Sequence, residues 1–581
     1  MDCEQELHLG IEAQKAGRMG DAVRHYGAVL AADPENVDAL NLMSVVALTA
    51  QDPRTSADLA SRATAAQPDW FVSWINLGNA LQSLGKPDEA ADAFRKAITL
   101  NPQSAEGFVN LASALNAAGH AEDAADMAVK AILIAPEMAD AHINFGNALL
   151  ALGSPGEAVE AFYKATRLAP GNELAWFNMG NAYAALDCHD AAADSFRRSI
   201  ALADSATKQF NLGNALVAKA TLYEAVAAFE RALAQKPDYL DAWINLGAAL
   251  RDAGRLDEAE AAVRKALEMA PDEPELHWNL ALVLLTRGQY SEGWREYQWR
   301  WRTPHFSPFV RRFPSQEWQG EPLAGRTLLV HYEQGFGDAI QMCRLVPPLE
   351  DLGARVVVEC RPGLGRLLTT LGAGIAVVEA GEAPLPATDL HVALMSLPLR
   401  LGLTVETIPA RVPYLAVPEG AADFSDLASA PGIKVGVVWS GSKSRADNRA
   451  RSFKPQDLWP IEGASLFSLQ KGDAAAEASD MVDFGRMTDL GPRLGDFADT
   501  AAAIAALDLV ISVDTAVAHL AGALGKPVWI VLPHPTSAFL WMTGRDDTPW
   551  YPSARLFRQA KAGDWAEVMT AIRKAFAERY A

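Results

Sequence analysis

Seven asparagines recur at a nearly constant interval and constrain how the first half of the chain can fold. They lie 34 residues apart, with one step of 33. Large and small apolar residues recur at fixed offsets from each asparagine. This interval predicts a stack of helix pairs, in which each pair buries its apolar face against its neighbours. The seven residues are Asn76, Asn110, Asn144, Asn178, Asn211, Asn245 and Asn279.

The asparagine is the one recurring position that packing does not explain. At about 100° per residue, Asn76 lies roughly 200° around its helix from Trp74, whereas Leu77, Gly78 and Leu81 lie near Trp74 on the packing stripe. We therefore predict that the seven side chains, named here the ladder asparagines, face away from the neighbouring helix and stand exposed along a concave surface. Each amide offers one acceptor and two donors, which suits an extended peptide backbone.

The repeat extends in both directions and predicts about nine helical pairs over residues 1–293. The first two pairs are degenerate, because His8 and Leu42 take the ladder position, and we expect them to cap the stack. A proline marks most turns between repeats, where it can open the next helix without losing a hydrogen bond. The repeat near Asp204 lacks this proline and is one residue short, which predicts a local change of pitch.

The bulk properties of the chain limit its class. With 581 residues it is too long for one core, so two or three compact units are expected. A formal net charge of −21 argues against general affinity for nucleic acid. The acidic start and the lack of an apolar run of about 18 residues predict a cytoplasmic protein without an integral membrane segment.

Residues 294–325 interleave aromatic side chains with arginines. This pattern can bind single-stranded nucleic acid. The acidic total charge favours the alternative that the rings and guanidinium groups cover the last helix of the stack and join it to the next domain.

From Arg326 onward, short apolar runs alternate with helical stretches, which predicts parallel sheets. The predicted strands are Thr327–His331, Arg355–Cys360, 375–378, 434–439, 466–469, Leu509–Val513 and Val528–Leu532. The small-residue stretch 419–432 is the predicted linker between a lobe at 326–418 and a second lobe, with a terminal helix, at 433–581. Two such lobes leave a cleft beside the carboxyl ends of their strands.

Two motifs would border this cleft. Gly335-Phe336-Gly337-Asp338 follows a strand and opens a helix, so its glycines allow close backbone approach and Asp338 can serve either as a helix cap or as a base. The second motif begins Asp514-Thr515-Ala516 after a buried strand. The start of the helix that follows favours an anion such as a diphosphate. His519, one turn later, can reach the ligand or be a structural histidine.

Three further segments are predicted to border the same cleft. Ser440 to Ser452 offers hydroxyls and cations for phosphate oxygens, and Lys443 and Arg451 are the candidates; an exposed basic loop is the alternative. Gln470 follows the next strand, where an amide can read a base or a sugar. Asp496 starts a helix and suits a cap that points amides into the cleft.

The carboxyl-terminal part, from about Thr327 to Arg558, resembles the lipopolysaccharide heptosyltransferase-like glycosyltransferases of the two-lobed GT-B fold. The resemblance rests on GFGDAIQ and on ISVDTAVAHLAGALGKPVW. It implies that Asp338 is the catalytic base, and that Asp514, Thr515, Ala516 and His519 hold the donor's nucleotide diphosphate. Gly335, Gly337, Ser440, Lys443, Arg451 and Gln470 complete the predicted nucleotide-sugar site.

The amino-terminal part resembles tetratricopeptide (TPR) proteins, and its Asn-Leu-Gly-Asn string is similar to the superhelix of the nucleocytoplasmic O-GlcNAc transferases. In that family the asparagine ladder binds the backbone of the substrate. The combination of the two parts resembles bacterial TPR-linked protein glycosyltransferases, including those that modify flagellin. The catalytic lobes of O-GlcNAc transferase are not found, so the resemblance leaves a CMP-linked nonulosonic acid and an ADP-heptose open as donors.

The expected fold is thus a TPR solenoid, an α superhelix, followed by an α/β two-lobed GT-B domain. The expected function is transfer of a sugar from a nucleotide donor to a serine or threonine of a polypeptide, with a flagellin-like protein as one acceptor. No cofactor and no metal ion are expected, because cations and helix dipoles can carry the phosphate charge. The alternatives are a scaffold with a non-catalytic nucleotide-sugar domain and an enzyme that acts on a glycolipid.

Overall fold

Eighteen α-helices follow one another along residues 2–296 in a computed structural model that describes residues 2–381, 384–442, 448–534 and 539–580. From the first helix to the fourteenth, each contacts the next one along the chain. The helices are α1 Cys3–Lys15, α2 Met19–Ala32, α3 Val37–Thr49, α4 Pro53–Ala66, α5 Phe71–Ser83, α6 Pro87–Leu100, α7 Ala105–Ala118, α8 Ala121–Ile134, α9 Ala139–Ala151, α10 Pro155–Leu168, α11 Glu173–Ala185, α12 His189–Leu202, α13 Ala206–Ala218, α14 Leu222–Gln235, α15 Leu240–Asp252, α16 Leu256–Met269, α17 Pro274–Thr286 and α18 Tyr290–Glu296.

The helices of a pair approach closely because a glycine faces a large ring. A Cβ atom placed on Gly78 of α5 would lie only 2.4 Å from Cε1 of Phe94 in α6. Phe94 is fully buried. The same contact recurs between Gly146 and Phe162 and in later repeats. The small residue at this position is therefore required by packing, and the contact identifies the pairs as TPR-like.

The chain divides into two compact units, Met1–Ala242 and Trp243–Ala581. The helical repeats continue into the second unit as α16, α17 and α18. The predicted boundary at residue 293 therefore falls inside this unit, and the predicted domain limits stay predictions.

The second unit contains two parallel sheets. The first has five strands in the order β1-β5-β2-β3-β4, and the second has six in the order β11-β10-β9-β6-β7-β8. The strands are β1 Gln316–Glu317, β2 Thr327–His331, β3 Arg355–Cys360, β4 Ala376–Glu379, β5 Leu390–Ala393, β6 Ile433–Val438, β7 Ala464–Ser468, β8 Thr488–Asp489, β9 Leu509–Val513, β10 Val528–Leu532 and β11 Ala554–Arg558.

Helices lie in several of the connections between these parallel strands, as crossover connections favour, and the last helix follows the final strand. They are α19 Phe336–Met342, α20 Pro347–Asp351, α21 Gly365–Leu368, α22 Leu397–Arg400, α23 Asn448–Arg451, α24 Ser479–Asp483, α25 Phe497–Ala505, α26 Ala516–Ala523 and α27 Trp565–Tyr580. A helical stack followed by two parallel α/β sheets agrees with the predicted fold and is consistent with GT-B.

Four of the predicted strands, β2, β3, β9 and β10, have the predicted bounds, and three others differ by at most two residues. Four strands were not predicted. Two of these, β1 and β8, contain only two residues each. The apolar pattern of β5 is short, and that of β11 is interrupted by charged residues.

Several aromatic rings of α18 and of the segment that follows it are buried, although Phe309 is 61% exposed. Trp294, Tyr297 and Trp318 are each at most 2% exposed and belong to the core that the second unit builds around both sheets. The indole N–H of Trp550 donates to the hydroxyl of Tyr290 in α18 at 3.1 Å. These buried rings cannot stack on nucleic acid bases.

Candidate active site

The motif that contains Asp338 follows a strand of the first sheet, and the motif that contains Asp514 follows a strand of the second sheet. The two motifs lie close together. Gly337 lies in the first turn of α19, after β2, and Ala516 opens α26, after β9. A Cβ atom on Gly337 would lie 3.0 Å from Cδ2 of His519 and 3.8 Å from Cα of Ala516. A side chain at position 337 would therefore make a tight contact and require His519 to shift by a few tenths of an ångström, so glycine favours this close approach.

Asp338 stands at the start of α19. Its Oδ2 accepts the backbone N–H of Gly335 at 3.2 Å, and the carboxylate is half-buried. Both predicted interpretations of Asp338 survive this geometry. A capping carboxylate is fixed in place, and partial exposure leaves it able to meet a hydroxyl group.

Behind this loop lies a buried ion pair that the sequence did not predict. Arg300 is fully buried and donates from Nε and Nη2 to both carboxylate oxygens of Glu333, at 2.8–3.0 Å. Glu333 also accepts the backbone N–H of Met395 at 2.9 Å. Because Glu333 precedes the glycine motif directly, the pair anchors the loop that carries Asp338.

A second anchor acts on the same loop. The side-chain amide of Gln334 donates to the hydroxyl of Tyr297 at 2.6 Å. Tyr297 and Arg300 both belong to the segment after α18. The aromatic and arginine-rich segment therefore positions the candidate catalytic loop, a role that its composition alone did not indicate.

Across the cleft, Asp514 follows β9 and sits among cationic and imidazole groups. Its Oδ1 lies 3.6 Å from Nε2 of His519, and Nη1 of Arg451 lies 4.0 Å from its Oδ2. The same Arg451 nitrogen donates to the backbone oxygen of Asp514 at 3.0 Å. Burial would raise the pKa of the Asp514 carboxyl, but His519 and Arg451 outweigh burial and lower that pKa below its usual value.

His519 is itself buried and held on several sides. Its Nδ1 lies 2.9 Å from the hydroxyl of Tyr551, and its ring stacks on Trp541 with centroids 5.0 Å apart. The structural interpretation of this histidine is therefore supported, because its ring is fixed by protein groups. It still borders Gly337, so it also shapes the cleft.

Hydrogen bonds to protein side chains stabilise the loop after β6. The side-chain oxygen of Gln470 accepts the backbone N–H groups of Trp439 and Ser440 at 3.2 and 3.0 Å. The hydroxyl of Ser440 accepts from Asn448 Nδ2 at 3.2 Å. Gln470 is 5% exposed and also donates to the backbone oxygen of Lys471. The structure thus makes Gln470 a support of this loop; its predicted contact with a donor stays a prediction.

Lys443 lies outside the described residues. Gly441 approaches Arg451 so closely that a Cβ atom there would overlap the guanidinium group. Asn448 Oδ1 accepts the backbone N–H of Gly441 at 3.0 Å. Thr515, at the start of α26, places its hydroxyl 2.9 Å from that of Ser512. The predicted phosphate-binding groups other than Lys443 therefore converge at the carboxyl ends of β6 and β9.

The expectation that the ladder asparagines stand exposed is wrong for several of them. Asn76 and Asn144 in the first unit are 8% and 9% exposed, and Asn279 in the second unit is 5% exposed. Asn110, Asn178, Asn211 and Asn245 are half-buried. A helical wheel places a residue relative to its own helix only, whereas a helix of the preceding repeat covers the asparagine position.

The amide nitrogens of the ladder are used within the protein. Asn144 Nδ2 donates to the backbone oxygen of Val109 at 3.1 Å, and Asn279 Nδ2 donates to that of Ile244 at 3.3 Å. Further donated bonds run from Asn76 to Asn41, from Asn178 to Asn147 and from Asn211 to Asn181. In each case the acceptor lies in the preceding repeat, so these amides first of all tie repeats together.

The side-chain oxygens are different. In the part of the chain that the structure describes, no hydrogen bond to Oδ1 of Asn76, Asn144, Asn178 or Asn211 is present. The first unit can therefore offer a peptide a row of acceptors for its backbone N–H groups. The sequence had suggested that each amide would offer both acceptors and donors. Peptide binding by the ladder stays a prediction.

Comparison with known families gives separate matches in the helical stack and in the part that carries the second sheet. Residues 465–562 match glycosyltransferase family 9 (heptosyltransferase). Tetratricopeptide repeats match at 7–69, 71–104, 117–173, 143–207, 216–280 and 250–293. The chain therefore carries TPR repeats fused to a heptosyltransferase-like glycosyltransferase domain, and this domain implies a sugar donor.

Among curated proteins, the chain is similar to Protein FlbA of Caulobacter vibrioides, with 31% identity over 322 residues. The match covers 49% of this chain and 52% of FlbA, so the chain spans about half the length of this relative.

The solved structures that are similar to the chain include two proteins of different origin. TTC0263, a thermophilic TPR protein of Thermus thermophilus, is 26% identical, with a TM-score of 0.28 over 31% of this chain and 99% of that one. The APC/C hetero-tetramer Cut9-Hcn1 is 18% identical, with a TM-score of 0.37 over 46% of this chain and 52% of that one.

Within the described residues, none of the helices combines the length and the apolar character that crossing a membrane would need.

Proposed function

We propose that the chain is a protein O-glycosyltransferase that moves a sugar from a nucleotide-sugar donor to a serine or threonine hydroxyl of a polypeptide. The approach of Gly337 to His519 and Ala516 carries this proposal. It brings the carboxylate that follows Gly337 to the same cleft as the helix start that suits a diphosphate. Both halves of the proposed transfer site would thereby lie in one unit.

In the proposed reaction, Asp338 accepts the proton of the acceptor hydroxyl as its oxygen attacks the anomeric carbon of the sugar. The bond between that carbon and the phosphate oxygen breaks, and the nucleotide leaves with the electron pair. The amide groups at the start of α26 stabilise the charge on the phosphate of the departing nucleotide. Arg451 and His519 offset the negative charge of Asp514, which would otherwise repel it.

The acceptor polypeptide is proposed to bind along the ladder asparagines. Their side-chain oxygens would accept backbone N–H groups of an extended segment. Backbone recognition gives affinity without reading the sequence, so the choice of the modified residue would rest on the cleft. A flagellin-like protein is a suitable first acceptor for testing.

The test is an assay with purified full-length protein, candidate acceptor proteins and a panel of nucleotide sugars that includes an ADP-heptose and a CMP-linked nonulosonic acid. Intact-mass spectrometry should show one donor whose sugar mass is added to a polypeptide. Asp338→Asn should lower transfer by about 10²–10⁴-fold while donor binding, measured by calorimetry, is retained. Asp351→Asn, at an exposed carboxylate at the end of α20, is the matched control and should transfer normally.

Other results would replace the proposal. If no nucleotide sugar binds or stabilises the protein, the result would favour the alternative of a scaffold without catalytic activity. Transfer to a lipid-linked sugar, with none to polypeptides, would favour a heptosyltransferase-like enzyme. Equal transfer by the Asp338→Asn variant would remove this residue from the mechanism.

A further inference from the structure

The first unit contains a cavity of about 330 Å³ in the repeat that is one residue short. It lies between α12, α13 and α14. Ile200, Leu212, Leu216 and Ala228 form apolar walls, and Gln209 and Arg231 line the cavity together with the Arg197–Glu224 ion pair, whose atoms lie 2.6 Å apart. An engineered apolar cavity of about 150 Å³ holds benzene, so this volume can accept a larger aromatic ring.

The other repeats show what normally fills this place. The position held by Gln209 carries an aromatic or imidazole ring in every other repeat from Trp74 to His277. Trp74, Trp176 and His277 direct a ring nitrogen to the carbonyl of a proline six residues earlier, at 2.8–3.0 Å. Gln209 has no ring, and the residue six positions before it is Ala203 instead of proline.

A recurring cation marks the same place independently. Twenty-two residues after the ring, Lys130, Arg198 and Lys265 lie over the rings of Phe108, Trp176 and Trp243, at 6.0, 4.6 and 5.9 Å from the centroids. The equivalent residue in the exceptional repeat is Arg231. It lines the cavity, and the described residues provide it with no hydrogen bond, ion pair or ring contact.

Gln209 also holds an unused acceptor. The side chain is 1% exposed, and its Nε2 donates to Asp204 Oδ1 at 2.9 Å. Its Oε1 is buried and has no hydrogen-bond partner among the described residues. Buried acceptors without partners are rare because each forfeits the hydrogen bonds that it would make with water.

We propose that this cavity, named here the Gln209 pocket, binds a tryptophan side chain presented by another polypeptide. The indole ring would take the place that the repeat's own ring occupies elsewhere. Its N–H would donate to Gln209 Oε1, and Arg231 would lie over its face. A leucine or phenylalanine side chain could fill the volume but would leave Gln209 Oε1 without a donor.

The probe for this proposal is N-acetyl-L-tryptophanamide, titrated into the full chain by ligand-detected NMR. We expect saturable binding, and about tenfold weaker binding of N-acetyl-L-leucinamide. Gln209→Trp supplies the missing ring from within, so this variant should lose probe binding and melt at a higher temperature than wild type. The absence of saturable binding up to about 10 mM, or equal binding by this variant, would overturn the proposal.

A second pair of variants keeps the proposal testable if Gln209→Trp fails to fold. Arg231→Ala should weaken probe binding about 2- to 30-fold, because the cation over the ring is lost. Arg198→Ala is the matched control: it removes the equivalent exposed cation in the preceding repeat, where Trp176 already fills the place, and should leave binding unchanged. Equal effects of the two variants would contradict the assignment.

Sedimentation velocity distinguishes a partner from a second copy of the chain. The wild-type protein should sediment identically with and without the probe. A dimer that forms with rising concentration and that Gln209→Trp abolishes would assign the pocket to self-association and overturn the partner proposal.

Discussion

The ladder of the first unit and the cleft of the second unit use polar side chains in opposite ways. In the ladder, neutral amides donate to acceptors in the preceding repeat, and comparable bonds are formed at Asn76, Asn144, Asn178 and Asn211. In the cleft, charged groups such as Arg300 and Glu333 are buried in arrangements that occur once each. In the ladder, the loss of one side chain removes one neutral hydrogen bond among many. In the cleft, the loss of one partner leaves a buried charge unpaired, so the cost falls on a single contact.

The strongest test of this contrast is the removal of one charge from the cleft. Arg300→Met should destabilise the second unit by about 3–5 kcal/mol, because it leaves the Glu333 carboxylate buried without its partner. Hydrogen exchange of β2 and β5, measured by mass spectrometry, would report this loss locally. Donor-dependent sugar transfer should fall together with this stability, since Glu333 lies two residues before Gly335, where the glycine motif that carries Asp338 begins.

The matched control removes both charges. Arg300→Met combined with Glu333→Gln should recover most of the stability, because the Gln side chain can still accept the backbone N–H that Met395 donates to Glu333. If the single and double variants are equally unstable, the loss comes from packing around Arg300 rather than from the unpaired carboxylate.

This ion pair also shows where sequence reasoning stops. Strands such as β9 and β10 are continuous apolar runs, and their bounds were predicted because burial on both faces leaves that pattern. The partner of Arg300 is 33 residues away, in a segment without periodicity, so only tertiary packing selects it. The exceptional repeat was different: its missing proline and its shortened step predicted a local change of pitch, whereas the missing ring at Gln209, the cavity and its unpaired acceptor were not predicted.

The ladder was predicted by its spacing, and its burial was not. A helical wheel places a residue relative to its own helix, whereas Asn144 is covered by the helix of the preceding repeat, to which it donates. The cleft motifs were found because each follows a predicted strand and opens a helix, which is where parallel sheets bind ligands. Their mutual approach depends on two sheets whose relation no local pattern encodes.

A smaller effect is expected from the buried histidine beside the same loop. His331 in β2 packs against the rings of Phe313 and His391, and burial, with further effects from His391, Arg311 and Arg300, lowers its pKa from about 6.5 to about 3. The unfolded chain therefore binds a proton that the folded chain excludes between these two pH values. Stability from this group is complete above pH about 6.5 and is lost as the pH falls towards 3.

At pH 4.5 this group alone should cost about 2–3 kcal/mol relative to pH 7.5. Urea unfolding at both pH values should show a smaller loss for His331→Gln than for wild type, because the variant has no proton to exclude. His305→Gln, at an exposed histidine, is the control and should behave as wild type. An identical pH dependence in all three proteins would show that His331 titrates normally in the folded state.

The smallest effect per site is expected in the ladder. Replacing Asn144, Asn178 and Asn211 each by Ala should cost about 1 kcal/mol per residue, since each change removes one neutral hydrogen bond between repeats. The triple variant should also weaken binding of a polypeptide acceptor, because three side-chain oxygens are lost. Thermal denaturation and acceptor binding by calorimetry measure the two effects separately.

Stability and binding must be separated, because a loosened stack could weaken binding indirectly. Asn172→Ala provides the control: its side chain caps α11 by accepting the N–H groups of Leu174 and Ala175, so its loss costs about 1 kcal/mol without touching the ladder. Each single ladder variant should bind acceptor more weakly than this equally destabilised control. If Asn144→Ala and Asn172→Ala bind acceptor alike, the ladder asparagines serve only to join repeats, and the contrast with the cleft becomes one between structure and function.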